Sequence, residues 1–419
     1  MSLTLRTILI GFFLLGLAGG AVLPSAGSAY AAEESSATQD KVRVEVGKPL
    51  QAAQELSKAK QYKDALAKID EADAVPNKTP FESYFIARSR GAAAFADGQT
   101  ELAAQAFTAA MAFDRLTAVE YQDIARALAV QFYRKPDYPN AVRWASRYLD
   151  KGGADAQIKL LLAQSYYLQN EFAKAVPLLQ ELNRADEAAG KVTPEIQLQL
   201  LANCELKLNR NAGLVAALEK LAIHYPKKAY WNDLIRRVQR NPEFSERLAL
   251  DAYRLQRYAG SLEGADEVLE MAGLAVQAGY PVEARKLIDQ GYADQLLGSG
   301  EEAARHKKLQ DQAQKGAADD LKTLAQDEKR AETAKTGITL VNTGFNLVLH
   351  GQMDKGIGLI EKGIAKGGLK YPEDAKLKLA MAYLYAGQKD KAVQVFKSVA
   401  GTDGTADLAR LWVIRITAP

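Results

Sequence analysis

One cysteine, three histidines and thirteen prolines stand in 419 residues, and each shortage closes off a class of protein. A lone cysteine, Cys204, cannot form an intrachain disulfide, and it lies too far along the chain to be the lipid-bearing cysteine of a bacterial lipoprotein. It follows Leu200, Leu201 and Ala202 at helical spacing, the setting of a small core residue rather than a nucleophile. His224, His306 and His350 are each alone in their segments, so no metal-ligand spacing exists. His306 falls in a charged stretch and reads as a surface residue. His350 precedes Gly351 and reads as a helix end, where an imidazolium suits the dipole.

The catalytic patterns are missing as well. There is no phosphate-cradling GxxxxGK[ST], no HExxH and no GxSxG. Gly298-Ser299-Gly300-Glu301-Glu302-Ala303 matches a dinucleotide loop in letters only. Two glutamates there would repel a pyrophosphate, and no strand precedes them. The stretch reads instead as a turn whose Ser299 caps a following helix. Neither an enzyme nor a cofactor is expected.

Charge is nearly balanced: 54 Lys+Arg against 51 Asp+Glu give a formal net charge of +3. That supplies no electrostatic case for nucleic acid or for an anionic membrane surface. Long apolar runs are absent except for Ile8 to Leu23. With Arg6 ahead of it, Pro24 behind it and the small-x-small site Ala29-Tyr30-Ala31 following, this run predicts a signal peptide cleaved after Ala31 or one residue later. The rival, an uncleaved anchor, is disfavoured because the run is short for a span of ~20 residues and holds four glycines. The expectation is a periplasmic protein with no membrane span in the mature chain.

Alternating β-branched residues are nearly absent too. Val42 to Val46 alone looks like a strand. What abounds is helical patterning, and it repeats. In Leu379 to Phe396 one helix carries Leu379, Ala380 and Tyr383 on a face, Gly387 stops it, and a second helix resumes the stripe with Ala392 and Phe396. Two short helices cannot bury such stripes alone, so the unit calls for copies on either side. The copies are there. The marker alanine of the second helix recurs at Ala65, Ala103, Ala141 and Ala175, spaced by 38, 38 and 34 residues. Later units are marked by Ala202 with Leu214, by Ala272 with Ala284, and by Gly344 with Gly356.

This pattern of small residues at the crossing and large ones between resembles the tetratricopeptide repeat (TPR). The fold class expected is therefore all-α, an α-solenoid of stacked antiparallel helix pairs. The order of units and the junction Tyr225-Pro226-Lys227-Lys228-Ala229-Tyr230-Trp231 are similar to periplasmic repeat proteins associated with TonB-type systems of Gram-negative bacteria. The map that follows is a signal peptide over 1–31, a flexible N-terminus over 32–47 and a TPR-like array over 48–235. Degenerate repeats cover 236–300, charged helices around a break at Gly316 cover 301–335, and repeats with a terminal helix cover 336–419. Trp412 and Ile414 are expected on that last helix, covering the open end of the array.

The resemblance also implies where a partner would sit, on the concave face lined by the first helix of each pair. Carried over position by position, it selects Phe85, Arg88 and Phe95, then Arg126, Tyr133 and Arg134, then Gln164 and Tyr167, with Asp374, Met381 and Tyr385 near the C-terminus. Arginines among aromatics suit an extended, acidic protein or peptide segment. The expectation is a non-enzymatic scaffold for cell-envelope proteins. A structural subunit of a secretion or polysaccharide-export assembly, and a carbohydrate- or small-molecule-handling helical protein, stand as alternatives. The oligomeric state is left open.

Overall fold

A computed structural model describes residues 41–418. Among them are twenty α-helices, one short 3₁₀ turn and no strand. The expected signal peptide and most of the 32–47 segment lie outside the described residues. The chain divides into two compact units at Leu214/Val215, earlier than the array boundary expected at 235.

Unit 1 is built from α1 (Val44–Lys58), α2 (Tyr62–Asp73), α3 (Pro80–Ala96), α4 (Thr100–Met111), α5 (Ala118–Arg134), α6 (Tyr138–Asp150), α7 (Ala156–Leu168), α8 (Phe172–Ala188) and α9 (Glu195–Lys207). Odd and even helices pair as hairpins, and each hairpin packs on the next. The four marker alanines Ala65, Ala103, Ala141 and Ala175 are all fully buried, as expected of small residues where helix axes come closest. Gly91 does the same for the second hairpin. A Cβ there would lie 2.7 Å from the Phe107 ring, so glycine is what lets that ring seat. Around these contacts Leu128, Phe132, Trp144 and Ile158 form one apolar cluster. Each such side chain removed from water contributes about 1.5–3 kcal/mol.

Seven of the hairpin turns share one geometry. A residue in the left-handed region, with φ between 55° and 90°, ends the first helix at Lys60, Gly98, Asn170, Asn209, Gly279, Gly351 and Gly387. The next residue then donates its N–H to the carbonyl five residues back, as in Gln99 to Ala94 and Gln388 to Tyr383, both at 2.9 Å. This is the Schellman closure, which satisfies the orphan carbonyls at a helix end. Between hairpins, α3 and α5 each begin with a capping box, Thr79 with Glu82 and Thr117 with Glu120.

The N-terminal edge differs from the sequence expectation. Val42 to Val46 is not a strand, and residues 44–47 belong to α1. Val46 is fully buried while Val44 is 64% exposed; a strand would place both on one face. Arg43 holds this edge in place. Its Nε and Nη2 donate to Glu82 Oε1 and Oε2, both at 2.9 Å, and Nη2 also reaches Asn77 O at 3.1 Å.

Helix α10 (Asn211–His224) contains the division between units. Unit 2 continues through α11 (Lys228–Gln239), the 3₁₀ turn Glu246–Leu248, α12 (Ala249–Tyr258), α13 (Gly264–Gln277) and α14 (Pro281–Ala293). It ends with α15 (Ala303–Thr333), α16 (Gly337–Leu349), α17 (Met353–Lys366), α18 (Pro372–Tyr385), α19 (Lys389–Lys397) and α20 (Thr405–Thr417). The stretch Leu379 to Phe396 forms the expected hairpin, with Ala380 and Ala392 fully buried.

Three expectations about 299–335 fail. α15 runs for 31 residues without a break. Gly316 is there because α15 lies against the start of α14: a Cβ would stand 2.9 Å from Pro281 Cβ. Ser299 caps nothing, since the helix starts after Glu302 with no side-chain cap. His306 is 4% exposed rather than on the surface, and its Nδ1 accepts the Gly298 N–H at 3.1 Å. His350 does end a helix, and its Nε2 lies 2.7 Å from Asp320 Oδ2, with both Asp320 oxygens also accepting from Asn346.

The last helix does not cover an open end. α20 returns to pack against α11 and α12 of the same unit. Trp412 is fully buried there, stacked on Phe396 at 5.5 Å and tilted against Tyr258 at 5.0 Å. Ser245 N–H donates to Asp403 O at 3.0 Å, and Arg410 pairs with Glu219. Unit 2 thus closes on itself.

Candidate interaction surfaces

In unit 1 the first helices α3, α5 and α7 carry all eight groove residues selected from the sequence. The structure assigns six of them internal work. Phe85 packs with Phe81 at 5.5 Å and Tyr84 at 6.2 Å, and Phe95 lies against the main apolar cluster. Arg88 pairs with Glu120 at 2.7 Å, so the residue that closes the α5 capping box also ties α3 to α5. Tyr133 donates to Gln164 Oε1 at 3.1 Å and meets the edge of Tyr138 at 6.0 Å; burial pushes its phenol above the usual range. Tyr167 packs on Phe172 at 5.4 Å and is raised likewise by burial. Met381, near the C-terminus, is fully buried and no part of a surface.

Arg126 and Arg134 remain on the outside. Arg126 keeps a 40% exposed side chain, with Asp123 at 3.8 Å as a loose partner, and Arg134 is exposed at the end of α5. At 1.5 Å rise per residue the two Cα atoms stand about 12 Å apart along the helix. Tyr133 lies seven positions from Arg126, on the same side. The face therefore presents two cations over a firmly held aromatic and amide bed, the aromatics being half-buried rather than free.

A hollow of ≈ 510 Å³ that the sequence reading missed opens elsewhere on unit 1, lined by Thr108, Met111, Leu116, Tyr121, Arg147 and Lys151. Lys151 Nζ sits 5.2 Å over the Tyr121 ring, and Arg147 lies 4.6 Å over Trp144 while donating to Thr108 Oγ1 at 3.2 Å. Its cations are thus already engaged.

Unit 2 holds a charged centre that the repeat pattern did not reveal. Arg254 on α12 is 3% exposed. Its Nε and Nη2 grip Glu283 at 3.0 and 2.7 Å, its Nη1 donates to Asp251 at 2.7 Å, and its guanidinium lies 4.8 Å from the centre of Phe345 and 5.2 Å from that of Tyr280. Burial would favour its neutral form, but the Glu283 and Asp251 carboxylates outweigh that and hold it firmly cationic. Beside it Arg247 bridges Asp374 at 2.8 Å and Asp403 at 2.5 Å and stacks over Tyr371 at 4.1 Å. Burial lifts the Asp374 carboxyl. Asp403 is held down to about 2, where Thr405 and Arg247 overcome the opposing effect of burial. The signal that could have flagged this centre is Asp251 and Arg254 three apart within the apolar run of α12, where repeat spacing was lost.

This centre links α12 to α14 through Arg254 and the 3₁₀ turn to α18 through Arg247, and joins the α18 carboxylate Asp374 to Asp403 ahead of α20. It is the polar side of the closure made by Trp412. Among the described residues no group of His, Cys, Asp and Glu could hold a metal ion, and no helix is long and apolar enough to cross a membrane. Cys204 is buried, and burial pushes its thiol up to about 12, which disfavours the thiolate.

No family model matches the chain, and no curated protein matches it. Among solved structures, the Naa15/Naa10 complex bound to HypK-THB matches with 17% identity and a TM-score of 0.29, over 87% of this chain and 65% of that one. The TPR domain of P58(IPK) matches with 13% identity and a TM-score of 0.21, over 88% of this chain and 98% of that one. Similarity at this level says nothing about activity or partners. The architecture rests on the helix pairs themselves.

Proposed function

We propose that the chain is an interaction scaffold of the tetratricopeptide class, exported to the periplasm, that binds a protein or peptide segment of the cell envelope along the first-helix face of unit 1. No cofactor and no catalytic step are part of this reading. The observation that carries it is the division of labour on α5: Tyr133 and the other aromatics are fixed by their neighbours, while Arg126 and Arg134 stay at the surface. A pre-ordered bed below two cations loses little entropy when an acidic segment docks, and guanidinium groups bind carboxylates with two parallel hydrogen bonds. The paired helices and the export-type N-terminus support the rest.

Charge reversal tests the face. The double variant Arg126→Glu, Arg134→Glu is expected to fold normally and to lose a partner captured by the native chain at least tenfold. Retention of every partner would remove the face from the function. Location is tested separately: intact-mass analysis of the exported chain is expected to find an N-terminus just after Ala31 or Ala32.

A further inference from the structure

A second hollow, of ≈ 640 Å³, opens on unit 2 and is lined by Arg257 of α12, by Arg285, Lys286, Asp289 and Gln290 of α14, and by Gln314 of α15. Three cations face one carboxylate. That concentration of positive charge is notable in a chain whose formal total is +3. The hollow is open to solvent and mostly polar, so a ligand there would be held by charge and hydrogen bonds rather than by apolar enclosure.

The state of the cations matters more than their number. Several arginines of the described residues are matched, Arg43 with Glu82, Arg88 with Glu120, Arg247 with Asp374 and Arg254 with Glu283, and others such as Arg147 and Arg415 lie over aromatic rings. Arg257 and Arg285 have no carboxylate within ion-pair distance among the described residues, although Arg285 is half-buried. Lys286 Nζ is anchored on Leu349 O at 2.7 Å, which fixes one wall. Gln290 donates to Asp294 at 2.8 Å, which orients its amide. The spacing of the other wall is set by Gly316, two residues beyond Gln314, where α15 touches Pro281. Arg285, half-buried and without a carboxylate partner among the described residues, is a group that an oxyanion completes, because charge-assisted hydrogen bonds are about twice as strong as neutral ones, and the exposed Arg257 adds a second guanidinium at the rim. Asp289 disfavours a bare polyanion and instead accepts from hydroxyl groups.

We propose that this hollow binds a small hydroxylated ligand carrying an oxyanion, of the acidic-sugar class, with Arg257 and Arg285 on the carboxylate or phosphate and Asp289 on neighbouring hydroxyls. The site stands on unit 2 alone and is independent of the partner face of unit 1.

Isothermal titration of the full-length mature chain tests it with glucuronate, glucose 6-phosphate, glucose and inorganic phosphate as probes. At least one charged sugar is expected to bind tenfold or more tightly than glucose and than inorganic phosphate, and which of the two does so tells carboxylate from phosphate. Arg257→Gln with Arg285→Gln is expected to weaken that binding at least tenfold. An equal charge change at the exposed Lys362 and Lys397 should leave it within twofold, and both variants should melt like the native chain. Asp289→Asn is expected to narrow the gap between charged sugar and inorganic phosphate. Failure of both charged sugars to bind, equal weakening by the two double variants, or phosphate binding as tightly as the sugars would each overturn the proposal.

Discussion

At the scale of single residues, two ion pairs that bury a glutamate do different work. Arg254 is enclosed on every side, so removing its charge would strand Glu283 and Asp251 without compensation in the interior. Glu82 is equally buried, but its partner Arg43 keeps a 41% exposed side chain and can return to water. Replacing Glu82 by Gln is therefore expected to cost on the order of 2 kcal/mol, less than the ~3–5 kcal/mol of breaking a fully enclosed pair. The pH dependence follows. Hydrogen bonds from Arg43, against the opposing effect of burial, hold the Glu82 carboxyl at about 2, below its ordinary 4.5. Its contribution is fully present above about 4.5 and is lost as pH falls towards about 2. Urea titrations of the native chain between pH 5 and pH 2.5 should show that loss, and Glu82→Gln should flatten it.

At the scale of elements, the hairpins were legible wherever small residues marked the crossings. Ala65, Ala103, Ala141, Ala175, Ala380 and Ala392 are all fully buried where the spacing put them. The errors have physical causes. Val42 to Val46 alternates like a strand, but Val46, Leu50 and Ala53 continue at helical spacing and the longer pattern wins. Gly316 reads as a helix break because glycine is a poor helix former, and only the neighbouring Pro281 reveals it as a close contact. The groove residues were placed on the right helices, yet repeat spacing cannot say that Arg88 would meet Glu120 or Tyr133 would meet Gln164, since those partners lie about thirty residues away. Glycine has its strictest role between α16 and α17. A Cβ on Gly356 would stand 2.4 Å from Gly344 O, and one on Gly344 would stand 2.6 Å from Gly356 O. Backbone cannot yield as a flexible side chain does. Gly356→Ala should then destabilise unit 2 by ~1–3 kcal/mol, whereas Gly358→Ala, with open space around it, should be neutral or mildly stabilising. Thermal melts of the two variants make the comparison.

At the scale of the molecule, a repeating pattern led to the expectation of an array with a capped open end, and unit 2 instead closes through its last helix. Closure was hidden because it joins positions some 160 residues apart, as in the Arg247–Asp403 pair, and no local period carries such a contact. Trp412 is the apolar lock of that closure. Trp412→Ala should cost ~3–5 kcal/mol and raise amide exchange in α11 and α12 along with α20, while exchange in α3 to α6 stays unchanged. A loss confined to α20 would mean that it is an appendage.

The central claim is that unit 1 presents its first-helix face to a protein partner. In-cell crosslinking from a photoreactive residue at position 126, compared with one at position 322 on the exposed side of α15, addresses it most directly. The account predicts a discrete crosslinked protein from position 126, absent from position 322 and lost when Arg134 is changed to Glu. Crosslinks from position 322 alone, or from neither position, would contradict it.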